Sequence, residues 1–220
     1  MKAKDILANI IVKWYKRLGI CGFLRFRTLM LAYKLFPAIG ARYEEWKFVL
    51  NYLFPLTKEK DIYVLDVGAS SSLFIYELDK RGYNTYGIDQ RPYQEDLPVG
   101  IVYCQLDVTD MSYLASDAFD FVTCISTIEH IGLGEYGGKQ YDEGDKKAVK
   151  EMHRVLKPEG KLLITTHTKV FAKDLHPKGY TYKEFIHLVG RYFDVAEYTE
   201  RKGQICACCV KKCQKDNEET

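Results

Sequence analysis

The chain has no apolar run approaching the roughly 18 residues that a membrane-crossing helix needs, so a bilayer span is not expected. No secretory leader is visible, because Lys13, Lys16 and Arg17 interrupt the apolar residues near the start. No internal repeat recurs. The cysteines do not pair off either: there are seven, and Cys104 and Cys124 lie in apolar runs of core-strand type. Free thiols in a reducing, cytoplasmic setting are the expectation. The cluster Cys206, Cys208, Cys209 and Cys213 lacks the spacing of a zinc knuckle. On a straight strand those residues point to opposite faces and cannot close a tetrahedron, so packing rather than metal binding is expected there.

What is present is ordinary globular material: 220 residues, 47% hydrophobic and 28% charged. Charge is unevenly placed. Residues 1–42 hold nine Lys or Arg and one acid, a net of +8, against −6 for the rest. A basic arm on a mildly acidic body suits an anionic partner such as a membrane surface. Within it, residues 3–18 and 23–36 carry apolar residues at helical spacing among basic ones, and residues 43–54 read as a third helix. The expectation is an N-terminal basic helical cap or lid over residues 1–57, with peripheral membrane contact as its second use. Residues 58–213 form the main domain, and residues 214–220 a charged tail.

From residue 61 the pattern alternates. Strands are expected at 62–67, 85–88, 101–106, 119–125 and 161–166, with helices at 73–81, 145–156 and 182–190. Two closing strands, 192–198 and 204–211, could pair across Arg201-Lys-Gly203. Such alternation predicts an α/β, doubly wound, mostly parallel sheet of seven strands with an antiparallel last strand. Ligands of such sheets sit beyond the carboxyl ends of the strands, where Asp66, Asp89 and Asp107 stand. Asp89, after the second strand, is suited to accept hydrogen bonds from ribose hydroxyls. The turn Gly68-Ala-Ser-Ser-Ser72 is short of glycine, and lacks the second and third glycines of a dinucleotide GxGxxG loop. A nicotinamide oxidoreductase is therefore disfavoured.

In order and spacing, Val64-Leu-Asp-Val-Gly68, Gly87-Ile-Asp89, Leu106-Asp107, Phe119-Asp-Phe-Val122, Ile128-Glu-His-Ile131 and Val155-Leu-Lys-Pro-Glu-Gly-Lys-Leu-Leu-Ile164 resemble the motifs of class I S-adenosylmethionine-dependent methyltransferases. The loop from Ser126 to Gly137 is similar to a type 11-like group associated with glycan modification. The resemblance implies a Rossmann-like sheet, S-adenosyl-L-methionine as cofactor, and methyl transfer to a small-molecule or glycan-like acceptor, at oxygen. Carried over, it implies that Asp66, Gly68, Ala69, Ser70 and Ser72 hold the amino-acid end of the cofactor. Asp89, with Gln90, would hold the ribose, and Asp107 with Val108 would read the adenine. Ser126 and Thr127 would border the sulfonium. Asp66 has an alternative role as a structural partner of turn N–H groups.

Methyl transfer from a sulfonium is an in-line displacement, so alignment supplies much of the rate, and a hydroxyl acceptor also needs a base. Glu129 and His130 are expected at the mouth of the crevice, with His130 the first candidate base, His167 the second and His176 the third. Metal-binding acids of the kind some quinone-pathway methyltransferases carry after the fourth strand are not expected, since Ser126 stands at one of those places. Tyr136, residues 180–185 and residues 42–46 are candidate walls of the acceptor pocket. Two alternatives accompany this reading: a cofactor-binding but inactive regulatory subunit, and a nucleic-acid enzyme. The second is set against by the missing Pro-Pro-Tyr motif.

Overall fold

The computed structural model describes residues 41–53, 61–93, 97–138, 140, 142–172 and 178–213. The helices expected at 3–18 and 23–36, the tail at 214–220 and His176 lie outside the described residues. The third expected helix is present as α1 (Ala41–Leu53).

The elements follow in the order β1 (Tyr63–Val67), α2 (Phe74–Lys80), β2 (Asn84–Asp89), β3 (Ile101–Gln105), β4 (Phe119–Ile125), α3 (Gly144–Val155), β5 (Leu156–His167), α4 (Lys169–Ala172), α5 (Tyr182–Val189), β6 (Phe193–Arg201) and β7 (Gln204–Lys211). They build one seven-stranded sheet of order β3-β2-β1-β4-β5-β7-β6. Neighbours from β3 to β5 are parallel, and β7 runs antiparallel between β5 and β6. The closing hairpin turns through Lys202 and Gly203, both at positive φ (50° and 78°), the conformation a two-residue turn needs to match strand twist.

Side-chain alternation along the strands separates two core layers. Leu65 and Val67 of β1 pack with Ala148, Val149, Met152 and Val155, the stripe of α3 at helical spacing, and with Phe185 and Leu188 of α5. Val64 faces the other way, onto Trp46, Val49, Leu50 and Leu53 of α1 and Phe74 and Leu78 of α2. Each such fully buried side chain contributes roughly 1.5–3 kcal/mol. Helix α1 is thus part of the core rather than a loose cover, and its placement fixes what its polar residues can reach.

Two expectations are corrected here. The strand expected at 161–166 begins earlier, directly after the helix expected at 145–156 ends at Val155: Leu156 pairs with Phe119, and a register shift between Phe119 and Phe121 absorbs the extra residues. Phe185 is a core residue and not a pocket wall, being fully buried between the sheet and α5. Tyr180, though also buried, borders a cleft, with its hydroxyl donating to Asp145 at 2.9 Å. Cys206, Cys208 and Cys209 are buried and free on β7, and burial pushes the Cys206 thiol up to about 12. Among the described residues no helix is long and apolar enough to cross a membrane.

Candidate active site

The first strand delivers the turn. Gly68 stands in the left-handed region at φ 85°, and its N–H donates to the Ile88 carbonyl at 2.8 Å, which bends the chain off β1 toward the end of β2. A Cβ at Gly68 would lie 2.2 Å from the Thr127 hydroxyl oxygen, so only glycine lets the loop after β4 close against this turn. A short 3-10 turn, Ala69–Ser71, follows before α2. The serines that replace the expected glycines tie this turn to the segment after β2. The buried Ser70 donates its N–H to Asp89 Oδ2 (3.2 Å) and its hydroxyl to the Pro92 carbonyl (3.0 Å). The Ser72 hydroxyl accepts from the Phe74 N–H at 3.3 Å.

Three carboxylates lie along the carboxyl edges of β1, β2 and β3. Asp66 is buried and accepts from the Thr123 hydroxyl of β4 at 2.6 Å, a partner set by the register that places those two residues side by side. That donor is a neighbouring strand's hydroxyl rather than a turn N–H, and Asp66 makes other contacts besides. Asp89 is nine-tenths buried and carries the densest set of donors. Besides Ser70, its oxygens receive the Arg91 N–H (2.9 Å) and a two-pronged guanidinium from Arg91 (3.1 Å to each oxygen). Those bonds raise the Arg91 guanidinium above its ordinary range, against a smaller opposing effect of burial. Asp107 closes a local turn, accepting from the N–H (2.9 Å) and hydroxyl (2.8 Å) of Thr109, while Val108 packs on the core. Gln90 is exposed and donates to the Glu135 carbonyl at 3.2 Å.

After β4 the chain turns sharply at Ser126, which has φ 45°. Its N–H is held by both oxygens of Thr165 at 3.1 Å. The Ser126 hydroxyl donates to Glu45 of α1, as does the Thr165 hydroxyl (2.7 Å). Glu45 is 1% exposed, and the N-terminal helix thereby enters the site through a carboxylate. Sequence reasoning placed residues 42–46 near the pocket but did not single out Glu45. Its contacts span 81 and 120 residues, beyond what local pattern can signal.

Next comes the 3-10 turn Ile128–His130. Glu129 does not stand at the crevice mouth, as expected from sequence. It is fully buried, bound to His167 Nδ1 (2.5 Å) and to the Thr166 hydroxyl (3.0 Å). With about three residues per turn, neighbours on a 3-10 helix point some 120° apart, so Glu129 turns inward where His130 turns out. Two candidate catalytic residues, Glu129 and His167, are thus brought together as one buried pair. In the orientation that satisfies its amide, Gln204 accepts from His167 Nε2 and donates to Glu45, each at 3.3 Å. His167 also stacks on Phe171 at 5.3 Å between ring centroids. Both ring nitrogens of His167 are thus engaged. His130 is half-buried; its Nδ1 meets Glu135 Oε2 at 2.5 Å, and its ring lies edge-on to Tyr136 at 5.4 Å. Past His167 the chain borders a cleft of about 900 Å³, lined in part by Asp145, Lys146, Lys178 and Tyr180. Among the described residues no group of three or more His, Cys, Asp or Glu is placed to hold a metal ion.

The segment that holds these residues is similar to known proteins. Residues 65–164 match the family model described as a methyltransferase domain. A ubiquinone biosynthesis O-methyltransferase of Pseudomonas aeruginosa is 25% identical over 127 residues, 54% of this chain and 47% of the relative. The enzyme of the same name from Alkalilimnicola ehrlichii is also 25% identical, over 44% of its own length. The chain spans about half the length of the curated relatives it matches. Among solved structures, Burkholderia thailandensis 1,6-didemethyltoxoflavin-N1-methyltransferase, with S-adenosylhomocysteine bound, overlays with a TM-score of 0.57 at 15% identity, covering 79% of both chains. A Listeria monocytogenes structure described as a putative S-adenosylmethionine dependent methyltransferase gives 0.57 at 14% identity, covering 76% of this chain and 98% of that one. At such identities the overlays speak for the fold alone. Residues 65–164 thus resemble a methyltransferase domain, and the seven-stranded sheet with its antiparallel β7 has the fold of the methyltransferase structures it overlays.

Proposed function

We propose that the chain transfers a methyl group from S-adenosylmethionine to an oxygen of a small-molecule or glycan-like acceptor. One observation carries this reading: Asp89, at the carboxyl end of β2, lies beside the Gly68 turn and is linked to it through the Ser70 N–H. A carboxylate there can accept both hydroxyls of a ribose, with the turn of β1 and the loop after β4 on either side. Asp107 and Val108, one strand further out, are the residues for adenine. Gly68, Ala69, Ser70, Ser126 and Thr127 surround the place for the amino-acid end and the sulfonium. The relatives, O-methyltransferases by name, support oxygen as the methylated atom. A cleft whose lining includes lysines and a tyrosine supports a hydroxylated acceptor. The net charge of +8 in residues 1–42 supports contact with an anionic surface.

His130 is the residue for the base. A carboxylate on Nδ1 orients the ring and leaves Nε2 as the atom that takes a proton. His130→Ala should leave affinity for S-adenosylhomocysteine within about twofold and lower turnover roughly a hundredfold, the size of a lost general base. An unchanged rate at saturating acceptor would remove His130 from the chemistry. The function itself is tested by incubating the chain with radiolabelled S-adenosylmethionine and a cell extract. Label in a small or glycan fraction is the expected result, and binding of donor without any transfer contradicts it.

A further inference from the structure

The carboxylate assigned to the ribose is already taken. Arg91 Nε donates to Asp89 Oδ1 and Arg91 Nη2 to Oδ2, both at 3.1 Å. This is a fork of two parallel donors on two oxygens. A ribose diol offers a carboxylate the same pattern, two donors side by side, so guanidinium and diol exclude each other on Asp89. The two remaining bonds to Asp89, from the backbone N–H groups of Ser70 and Arg91, do not conflict with a diol.

Arg91 is also held from outside. Its guanidinium carbon lies 4.5 Å from the ring centre of Tyr136, in the loop after β4. Tyr136 sits at φ 55°, a left-handed conformation costly for an aromatic residue, and its ring meets that of His130. The adjoining Glu135 accepts from Gln90 through its carbonyl (3.2 Å) and meets His130 through its carboxylate. The main chain at Arg91 is fixed independently, since the Tyr103 hydroxyl donates to its carbonyl at 2.5 Å. The Arg91 side chain is 30% exposed. It can therefore swing outward without moving the strand end.

We propose that Arg91 is an internal stand-in for the ribose, closing the donor site by bridging Asp89 to Tyr136 until S-adenosylmethionine displaces it. Donor binding then frees Tyr136 from its cation partner, beside His130, so the acceptor side of the crevice is released only once the donor is in place. This rests on the assignment of Asp89 to the ribose. The cost of displacement lowers apparent donor affinity by the fraction of molecules in which Arg91 is away from Asp89.

The test is calorimetric titration of the full chain, Arg91→Ala and Arg91→Lys with S-adenosylhomocysteine and with 5′-methylthioadenosine. Arg91→Ala should bind both ligands more tightly, by roughly 1.5-fold to fivefold, the range for a partly exposed ion pair. The gain should be alike for the two, because both carry the diol and only one carries the amino acid. Arg91→Lys should fall between, since an ammonium cannot fork. Equal or weaker binding by Arg91→Ala, with the unaltered chain binding normally, would overturn the stand-in and leave the donor site intact. Failure of the unaltered chain to bind either ligand would overturn the ribose assignment itself.

Discussion

Asp89→Ala should weaken binding of S-adenosylhomocysteine roughly a hundredfold. Two hydroxyls donating to a nine-tenths buried carboxylate are worth about 3 kcal/mol together. The substitution also frees Arg91 and leaves the Ser70 N–H without that acceptor. Asp89→Asn is the companion variant, since it keeps an acceptor for Ser70 while losing the charge. Both should fold, and both should bind the ligand more weakly. Near-unaltered affinity in either, with far-UV circular dichroism unchanged, would contradict the ribose assignment.

The second large effect concerns stability. Glu129 and His167 face each other inside the protein, with side-chain exposures of 0% and 7%, and the Thr166 hydroxyl completes the carboxylate's partners. Removing one member of a buried pair leaves the other with its desolvation unrepaid, which costs several kcal/mol. Glu129→Ala should therefore destabilise the domain by roughly 3 kcal/mol, a fall in Tm of about 6 to 12 °C for a chain of this size. Glu129→Gln retains the shape and a hydrogen-bonding oxygen, and should lose less. Thermal unfolding of the three proteins decides the matter. A Glu129→Ala protein as stable as the original would mean that the pair is not closed in solution, and would return Glu129 to the list of residues able to reach an acceptor.

The contrast between these two residues shows where sequence was enough. Asp89 was legible because a buried parallel strand ends where its apolar run ends, and the crevice of a doubly wound sheet lies just beyond. The same holds for Asp66, Asp107 and the turn at Gly68. Glu129 was misplaced because Ile128-Glu-His130 carries no periodic pattern. Whether the acid or the histidine faces inward depends on a single turn of 3-10 helix, and that depends on Thr166 and His167 arriving from β5. Glu45 and Gln204 were beyond reach for the same reason: their partners are set by the packing of α1 and β7 on the sheet. Arg91 did leave a trace. An arginine two residues after an acid, past a strand end, can fold back on it, and here it does.

The serine turn illustrates a further point. The missing glycines argued against a pyrophosphate, and the structure uses Ser70 to fasten the turn to Asp89 and Pro92. The donor site thus depends on contacts between the β1 turn and the β2 end, while His130 and Tyr136 arrive on a separate loop. Arg91 and Gln90 both reach across to that loop.

The central claim is that Asp89 receives the ribose of the methyl donor, and a crystal structure of the chain with S-adenosylhomocysteine tests it most directly. The account predicts both ribose hydroxyls on the Asp89 carboxylate, the guanidinium of Arg91 turned away, and the sulfur beside Ser126 and Thr127. A nucleoside bound elsewhere, or bound with the Arg91–Asp89 fork intact, would contradict it.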